Sequence, residues 1–481
     1  MIFSLSQQWK GEGGGREVLV LAFPLILSTG SWAVQHFVDR MFLSWYSAEA
    51  IAAAMPAGLL NFAVMSFFIG TASYVGTFVA QYYGAGIKDR IGPAVWQGVY
   101  LSLAGGVILL AMIPLAGPIF TLVDHESAIL RQEVIYFQYL CLGGFPVIAA
   151  SALSGFFTGL GRPWPVMWVN VLATGVNLIL DYGMIFGHFG FPEMGIKGAA
   201  IASVIAGVSS FVVYMVLIIR PGLNRTYGTL SGWRPDRELL GRLVRFGVPA
   251  GVQFFLDMAG FTAFVLFVGR LGTVNLAATN IAFNINTLAF MPMIGFGIAV
   301  SVLVGQYIGK DRTDLASRST YSGFLMTFVY MSLIALLYLF LPGLFTAPFA
   351  ARSEAALFPE IKRLTETLLR FVALYSIFDT MNIIFSSALK GAGDTRFVMV
   401  MIVGLSGGVL AFPTWLAITV LGLGVMTAWT LATTYVILLG FAFYFRFLRG
   451  KWKSMRVIEV PPHIPNVPAV SVECPDAKFE P

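Results

Sequence analysis

Apolar residues in this chain run in long uncharged blocks that are broken by glycine, proline and charge. Twelve such blocks predict helices over residues 17–43, 50–83, 92–120, 130–158, 163–187, 196–220, 240–269, 275–308, 317–347, 362–389, 396–420 and 425–447. Each is near or above the roughly 20 residues that a helix needs to cross a bilayer. A transmembrane barrel would instead show segments of about ten residues that alternate apolar and polar. The expectation is an all-α integral membrane protein, with the longest blocks tilted or carrying an interfacial turn.

Composition removes the soluble classes, because 57% of the 481 residues are hydrophobic and only 11% are charged. An ordinary soluble domain carries about 25% charge. Cys141 and Cys474 are too few and too distant to suggest a disulfide framework or a metal site. The polar stretch Met1–Arg16 has no apolar core of a cleavable signal. Its run of glycines follows no strand and lacks a Gly-Lys-Ser/Thr ending, so it is not a phosphate loop.

Lysine and arginine fix the expected orientation. With the N-terminus inside, 22 of the 30 basic residues fall in inner loops or termini and six in outer loops. Arg40 and Arg370 lie within helices. Both termini are therefore expected in the cytoplasm, with Lys390 counted among the inner-loop cations. The net charge of +6 reports this topology and calls for membrane lipid, not nucleic acid. Asp89, Asp311 and Asp394 are expected in solvated inner turns. The proline-interrupted segment from Val457 onward is expected to be disordered or loosely docked.

The two halves repeat. Pro24, Ala52-Ala53, Gly70 and Gln81-Tyr82-x-Gly84 each recur 225 residues later, as Pro249, Ala277-Ala278, Gly295 and Gln306-Tyr307-x-Gly309. The offset then drifts to 232, where Gly159-Leu-Gly161 meets Gly391-Ala-Gly393. Two parallel six-helix repeats imply a pseudo-two-fold axis along the membrane normal, with a substrate site near mid-membrane at the repeat interface. The expected divisions are a cytoplasmic N-terminal segment (1–16), an N-lobe (17–225), a linker (226–239), a C-lobe (240–448) and a tail (449–481).

Four acids lie inside predicted helices: Asp39, Asp181, Asp257 and Asp379. Each costs about 2.5–3.5 kcal/mol to insert at a helix centre, whereas asparagine or serine would hold helices together more cheaply. Their neighbours are polar at helical spacing. Asn170, Thr174, Asn177 and Asp181 share one face, as do Tyr375, Asp379, Asn382 and Ser386, and Gln253 precedes Asp257 by one turn. Such oxygen-rich stripes suit a desolvated sodium ion or a shuttled proton. His36 is expected either to relay protons to Asp39 or simply to pack within its lobe. Asn280, Asn284 and Asn286 on helix 8, with His36, Gln253 and Asn382, are candidates to line the cleft. Methionines and aromatics nearby would suit varied flat or lipophilic cargo.

These features together resemble the multidrug and toxin extrusion (MATE) family over nearly all of residues 17–447, and within it the NorM-like branch. The residues that carry the resemblance are the Pro24-to-Asp39 helix, the Gln-Tyr-x-Gly pair, Asn177-x-x-x-Asp181, Gly198-Ala199-Ala200-Ile201-Ala202-Ser203, and Asp379 through Leu389-Lys390-Gly391-Ala392-Gly393-Asp394-Thr395. The resemblance implies a V-shaped two-lobe fold and antiport of organic, often cationic, compounds against sodium ions or protons. It maps an N-lobe cation site onto Asp39, Asn177 and Asp181, with Ser203 in place of a threonine. It maps a C-lobe site onto Asp257, Asp379 and Tyr375. Asp257 stands where that branch usually has glutamate, one methylene longer, and the first outer loop reads Leu43-Ser44-Trp45-Tyr46-Ser47 instead of a glycine-rich form.

The expected protein is thus a monomeric inner-membrane antiporter with no catalytic residues, no resident metal and no cofactor beyond the coupling ion. One alternative is a flippase of a lipid-linked precursor, which would place arginine or lysine in the cavity to hold phosphates. The mid-membrane charges read from sequence are all acidic. A membrane-embedded enzyme is a further alternative, but no nucleophile or ligand cluster accompanies the His36–Asp39 pair.

Overall fold

The structure, a computed structural model, describes residues 9–121, 126–350 and 357–459. Among the described residues, eleven helices are long and apolar enough to span a membrane, and a bent pair supplies the twelfth. In chain order the spans are α1 (Gly15–Tyr46), α2 (Ala48–Gly84), α3 (Lys88–Thr121), α4 (Ser127–Leu142 with Gly144–Gly159, bent by 46°), α5 (Trp164–Phe186) and α6 (Ile196–Ile218). The second half comprises α7 (Arg237–Gly269), α8 (Thr273–Gly309), α9 (Thr313–Phe340), α10 (Phe358–Ala392), α11 (Thr395–Val420) and α12 (Val425–Leu448). The expected helix over 317–347 is instead two, because α9 stops before Pro342 and a short helix, Pro342–Ala350, follows. Proline lacks the N–H that would continue the ladder.

Local chemistry sets several ends. The Ser47 hydroxyl accepts the Ala50 N–H at 2.9 Å and caps α2. Asp236 caps α7 by accepting from Glu238 and Leu239 at 3.0 and 3.1 Å. The paired glycines Gly161 and Gly393 turn the chain after α4 and α10 at φ of 72° and 106°, which disfavours any side chain.

The sequence repeat appears in space as reciprocal contacts between the lobes. Gln81 donates to the Gly391 carbonyl at 2.9 Å, and Gln306 donates to the Gly159 carbonyl at 2.8 Å. Both glutamines and both glycines are repeat partners. Gly84 abuts the Gln306 carbonyl and Gly309 the Gln81 carbonyl, so closely that a Cβ would sit 2.0 and 2.2 Å away. Gly70 lies against Gly251, and Gly295 against Ile26. These contacts gather on the face that carries Gly15 and the chain after α12, hereafter the basal face.

Toward the opposite, distal face the lobes part. Inter-lobe contacts toward that face include Thr29 donating to the Met291 carbonyl at 3.3 Å and the Phe62–Phe254 rings with centroids 5.9 Å apart. Continuing each contact stripe distally by helical turns reaches exposed residues. These are Trp32 and His36 on α1, Leu59 and Met55 on α2, Phe261 on α7, and Thr287, Asn284 and Asn280 on α8. These distal faces of α1, α2, α7 and α8 are thus left uncovered by the opposite lobe, the side of the expected cleft.

One loop expectation, Asp394, is corrected, while Asp311 stays exposed in its turn. Asp394 is only 5% exposed and pairs with Arg446 at 2.7 Å, so it is no solvated turn residue. Asp311 pairs with Arg456. Replacing Asp394 by Ala leaves Arg446 unpaired at the end of α12. Because Arg446 keeps some solvent, the expected loss is about 1.5 kcal/mol, below the 3–5 kcal/mol of a deeply buried pair. A lowered thermal unfolding midpoint in detergent is the readout, and an unchanged midpoint would show the pair to be idle.

The tail expectation is also corrected over its first residues. After Gly450 the chain forms a short 3-10 turn, Lys451–Ser454, with Trp452 fully buried and stacked on Phe447 at 4.8 Å. Val457 and Ile458 are buried too. Buried apolar residues and one well-partnered acid dock this segment despite the prolines beyond it. The remainder of the expected tail, residues 460–481, lies outside the described residues.

Candidate functional site

The N-lobe site forms where α1 crosses α5. Two polar rungs hold the helices in register: Asn170 donates to the Ser28 hydroxyl at 2.5 Å, and Thr174 donates to the Ser31 carbonyl at 3.4 Å. Continuing two more turns along each face brings Asp39 and Asp181 together. Their carboxyl groups are within hydrogen-bonding reach of each other. A carboxylate only accepts, so this contact is satisfied only with a proton or a metal cation between the two.

The surroundings leave that role open. Asp181 and Asn177 are fully buried and Asp39 is 8% exposed. One oxygen of Asp39, both of Asp181 and both amide atoms of Asn177 have no partner. Five orphaned polar atoms around one point are costly unless something occupies them. Tyr136 of α4, buried nearby, lies in the field of both carboxylates, a neighbour that sequence spacing did not reveal. Ser203 on α6 is half-buried and makes no hydrogen bond to either acid. His36 packs edge-on against Trp32 at 4.5 Å and is exposed on the cleft wall.

The C-lobe site spans α7, α8, α10 and α12. Asp379 is 7% exposed and accepts from Asn382 at 2.9 Å. Asp257, half-buried on α7, is within reach of Gln253 and in the field of Asp379. Tyr375 receives a hydrogen bond from Asn286 at 3.1 Å. Asn286 therefore turns into the lobe, while Asn280 and Asn284 remain on the exposed cleft stripe. The helical rotation between 284 and 286 separates the two roles.

Three further groups were not read as site residues. Tyr435 on α12 lies in the field of both C-lobe acids and near Ser406, which begins a π-helical stretch of α11. Lys390, expected in a loop, belongs to α10 and lies half-buried in the field of Asp257. The interior charges are therefore not all acidic. Glu133, near the distal end of α4, is fully buried and adds a fifth interior acid. Among the described residues, no cluster of His, Cys, Asp or Glu is set up to hold a metal in the ordinary ligand-rich way.

Comparison with known proteins agrees with this architecture. The MatE family model matches residues 24–183 and again 249–407, two copies offset by the same 225 residues as the repeat. The chain is 29% identical over 416 residues to the multidrug resistance protein NorM of Burkholderia vietnamiensis, covering 85% of this chain and 88% of that protein. It is 28% identical over 389 residues to the multidrug resistance protein PmpM of Pseudomonas aeruginosa, covering 80% of each. Among solved structures, an outward-facing multidrug resistance MATE transporter of the MOP superfamily superposes with a TM-score of 0.82 at 17% identity, covering 95% of this chain and all of that one. A MOP superfamily transporter from Pyrococcus furiosus superposes equally well, at 19% identity and the same coverage. With twelve spans in two pseudo-two-fold lobes and the family model matched in each, the chain belongs to the MatE family of membrane transporters and is not an enzyme.

Proposed function

We propose that this transporter exports small organic, cationic or lipophilic compounds across the inner membrane, as a monomer, in exchange for sodium ions or protons. The basal face is cytoplasmic in this reading, so the state described here is open to the outside. The observation that carries it is the paired Asp39–Asp181 site, whose buried unpartnered oxygens and amide call for a small cation. A second acid pair in the other lobe supports the same reading, as do the relatives that bear multidrug resistance names. Lys390 gives little support to a phosphate-binding flippase, since its field falls on Asp257.

Coupling follows from charge. A cation that neutralises an acid pair removes the attraction that holds positive cargo, and rocking of the lobes then carries the cation inward and the cargo outward. Cation and cargo should compete. In proteoliposomes with separately imposed sodium and pH gradients, raising the external cation should speed release of a preloaded cationic dye. The same ion should weaken dye binding several-fold, and Asp379→Asn should shrink that effect. Release that ignores both gradients would sink antiport. Simultaneous binding of dye and ion without interference would sink the competition.

A further inference from the structure

We propose that Lys390 is a positioning residue of the C-lobe site, a tethered counter-ion to Asp257 that competes with the coupling cation. The inference rests on the antiport reading above.

The geometry comes from one helix face. Asp379, Ser386 and Lys390 lie seven and four residues apart on α10, and the 11-residue total returns to within about 20° of the starting direction. Side chains lean toward the helix N-terminus, so the Lys390 stem runs from the basal end of α10 toward the level of Asp379. Across the lobe interior, α7 presents Gln253 and, one turn further distal, Asp257. The Lys390 ammonium and the Asp257 carboxylate act on each other across this space. Among the described residues the ammonium makes no hydrogen bond and no direct ion pair, although it is not free in solvent. A lysine held off its carboxylate in the lobe interior acts on it through its field alone, as an added cation would.

The same position is anchored by the other lobe. Tyr74 of α2 donates to the Lys390 carbonyl at 2.7 Å, and Gln81 donates to the next carbonyl, Gly391. The base of α10 is also wedged against α8, since a Cβ on Gly391 would meet the Ser301 carbonyl at 2.4 Å. Closure of the basal face thus fixes the backbone from which the ammonium reaches. Parting of the lobes there removes two of these anchors and lets Lys390 advance on Asp257.

Charge gives the consequence. Two aspartates with Lys390 need one added cation for neutrality, and without Lys390 they need two. Lys390 therefore weakens cation binding and eases cation release on the inner side.

The test uses the full chain in proteoliposomes and reads the sodium concentration, or the external pH, for half-maximal dye release. Lys390→Gln should tighten the cation dependence by roughly tenfold or more, from the Coulomb term of a nearby charge in a partly solvated interior. Dye turnover should fall as the cation leaves more slowly. Lys390→Arg should stay near wild type. In an Asp257→Asn background, Lys390→Gln should produce no further shift. Lys390→Met keeps the packing of the stem and serves where the glutamine variant inserts poorly. A residue with only a structural role would weaken coupling, not tighten it. An unchanged or weakened cation dependence in Lys390→Gln and Lys390→Met, or an equal shift with and without Asp257, overturns the proposal. Wild-type release that ignores both cations would instead overturn the antiport reading itself.

Discussion

Asp39→Asn and Asp181→Asn are each expected to abolish cation-driven efflux while the protein still folds and inserts. The two carboxyl groups sit within reach of each other in a pocket where five polar atoms lack partners. An asparagine brings its own N–H donors to that pocket and satisfies the neighbouring carboxylate without any cation. Folding should therefore be unharmed, and thermal stability in detergent should hold or rise, because a buried charge has been removed. Coupling should not survive. One charge moved across 100 mV is worth about 2.3 kcal/mol, or roughly 50-fold in an accumulation ratio at 1.4 kcal/mol per decade. The variants should lose that factor in vesicles energised by either ion. Wild-type accumulation by both well-inserted variants would remove the pair from the mechanism.

The acids of the N-lobe were legible one by one because their signals are local, whereas their pairing across α1 and α5 was implied only by the family resemblance. Asn177 and Asp181 lie one turn apart on one helix, and polar residues at that spacing stand out against an apolar background. The inter-lobe contacts were half legible. The Gln-Tyr-x-Gly motif announced the repeat, but that Gln81 reaches across to Gly391 and Gln306 to Gly159 is a fact of lobe docking. Tyr136 and Tyr435 could not be singled out, since one tyrosine among 17 says nothing until four helices converge on the acids. Lys390 was misread for a different reason. A basic residue next to Gly391-Ala-Gly393 looks like a loop, yet α10 runs on to Ala392 and turns only at the left-handed Gly393. Asn286 shows the limit of spacing arguments. It is polar like Asn284, but two residues on a helix differ by about 200° in direction, and only the packed lobe reveals which of them meets Tyr375.

The segment after α12 should control which face opens. It leaves the C-lobe, ties to it through Arg456 and Asp311, and then crosses to the N-lobe. There the Val457 N–H donates to Gln81 Oε1 at 2.9 Å, and Glu459 accepts from the Tyr82 hydroxyl at 2.6 Å and from Arg90 at 2.7 and 2.9 Å. Arg242, at the start of α7, closes on the same carboxylate from the other lobe. All of these contacts require the basal ends of the lobes to be together, so opening that face must break them. Partly exposed ion pairs contribute at most about 1 kcal/mol each, and the buried backbone bond adds about 1 kcal/mol. Together they bias the distal-open state by on the order of 2 kcal/mol, roughly 30-fold in population. Glu459→Gln removes the charge without stranding the arginines, because Arg90 keeps Asp236 and Arg242 keeps Glu238. Burial opposes ionisation of Glu459, but the hydrogen bonds from Tyr82 and Arg90 and the charge of Arg242 prevail and lower its pKa to about 2. Its contribution is therefore complete above the ordinary glutamate value and fades only as pH falls toward 2. A pH gradient imposed between 5 and 8 should leave this latch closed, which separates its effect from proton coupling. Spin labels placed at Ser47 and Thr273, on the distal turns of the two lobes, should report a shorter mean distance in Glu459→Gln and a still shorter one when the chain is ended after Met455. Distances that stay at the wild-type value in both variants would mean that the docked segment follows the lobes without biasing them.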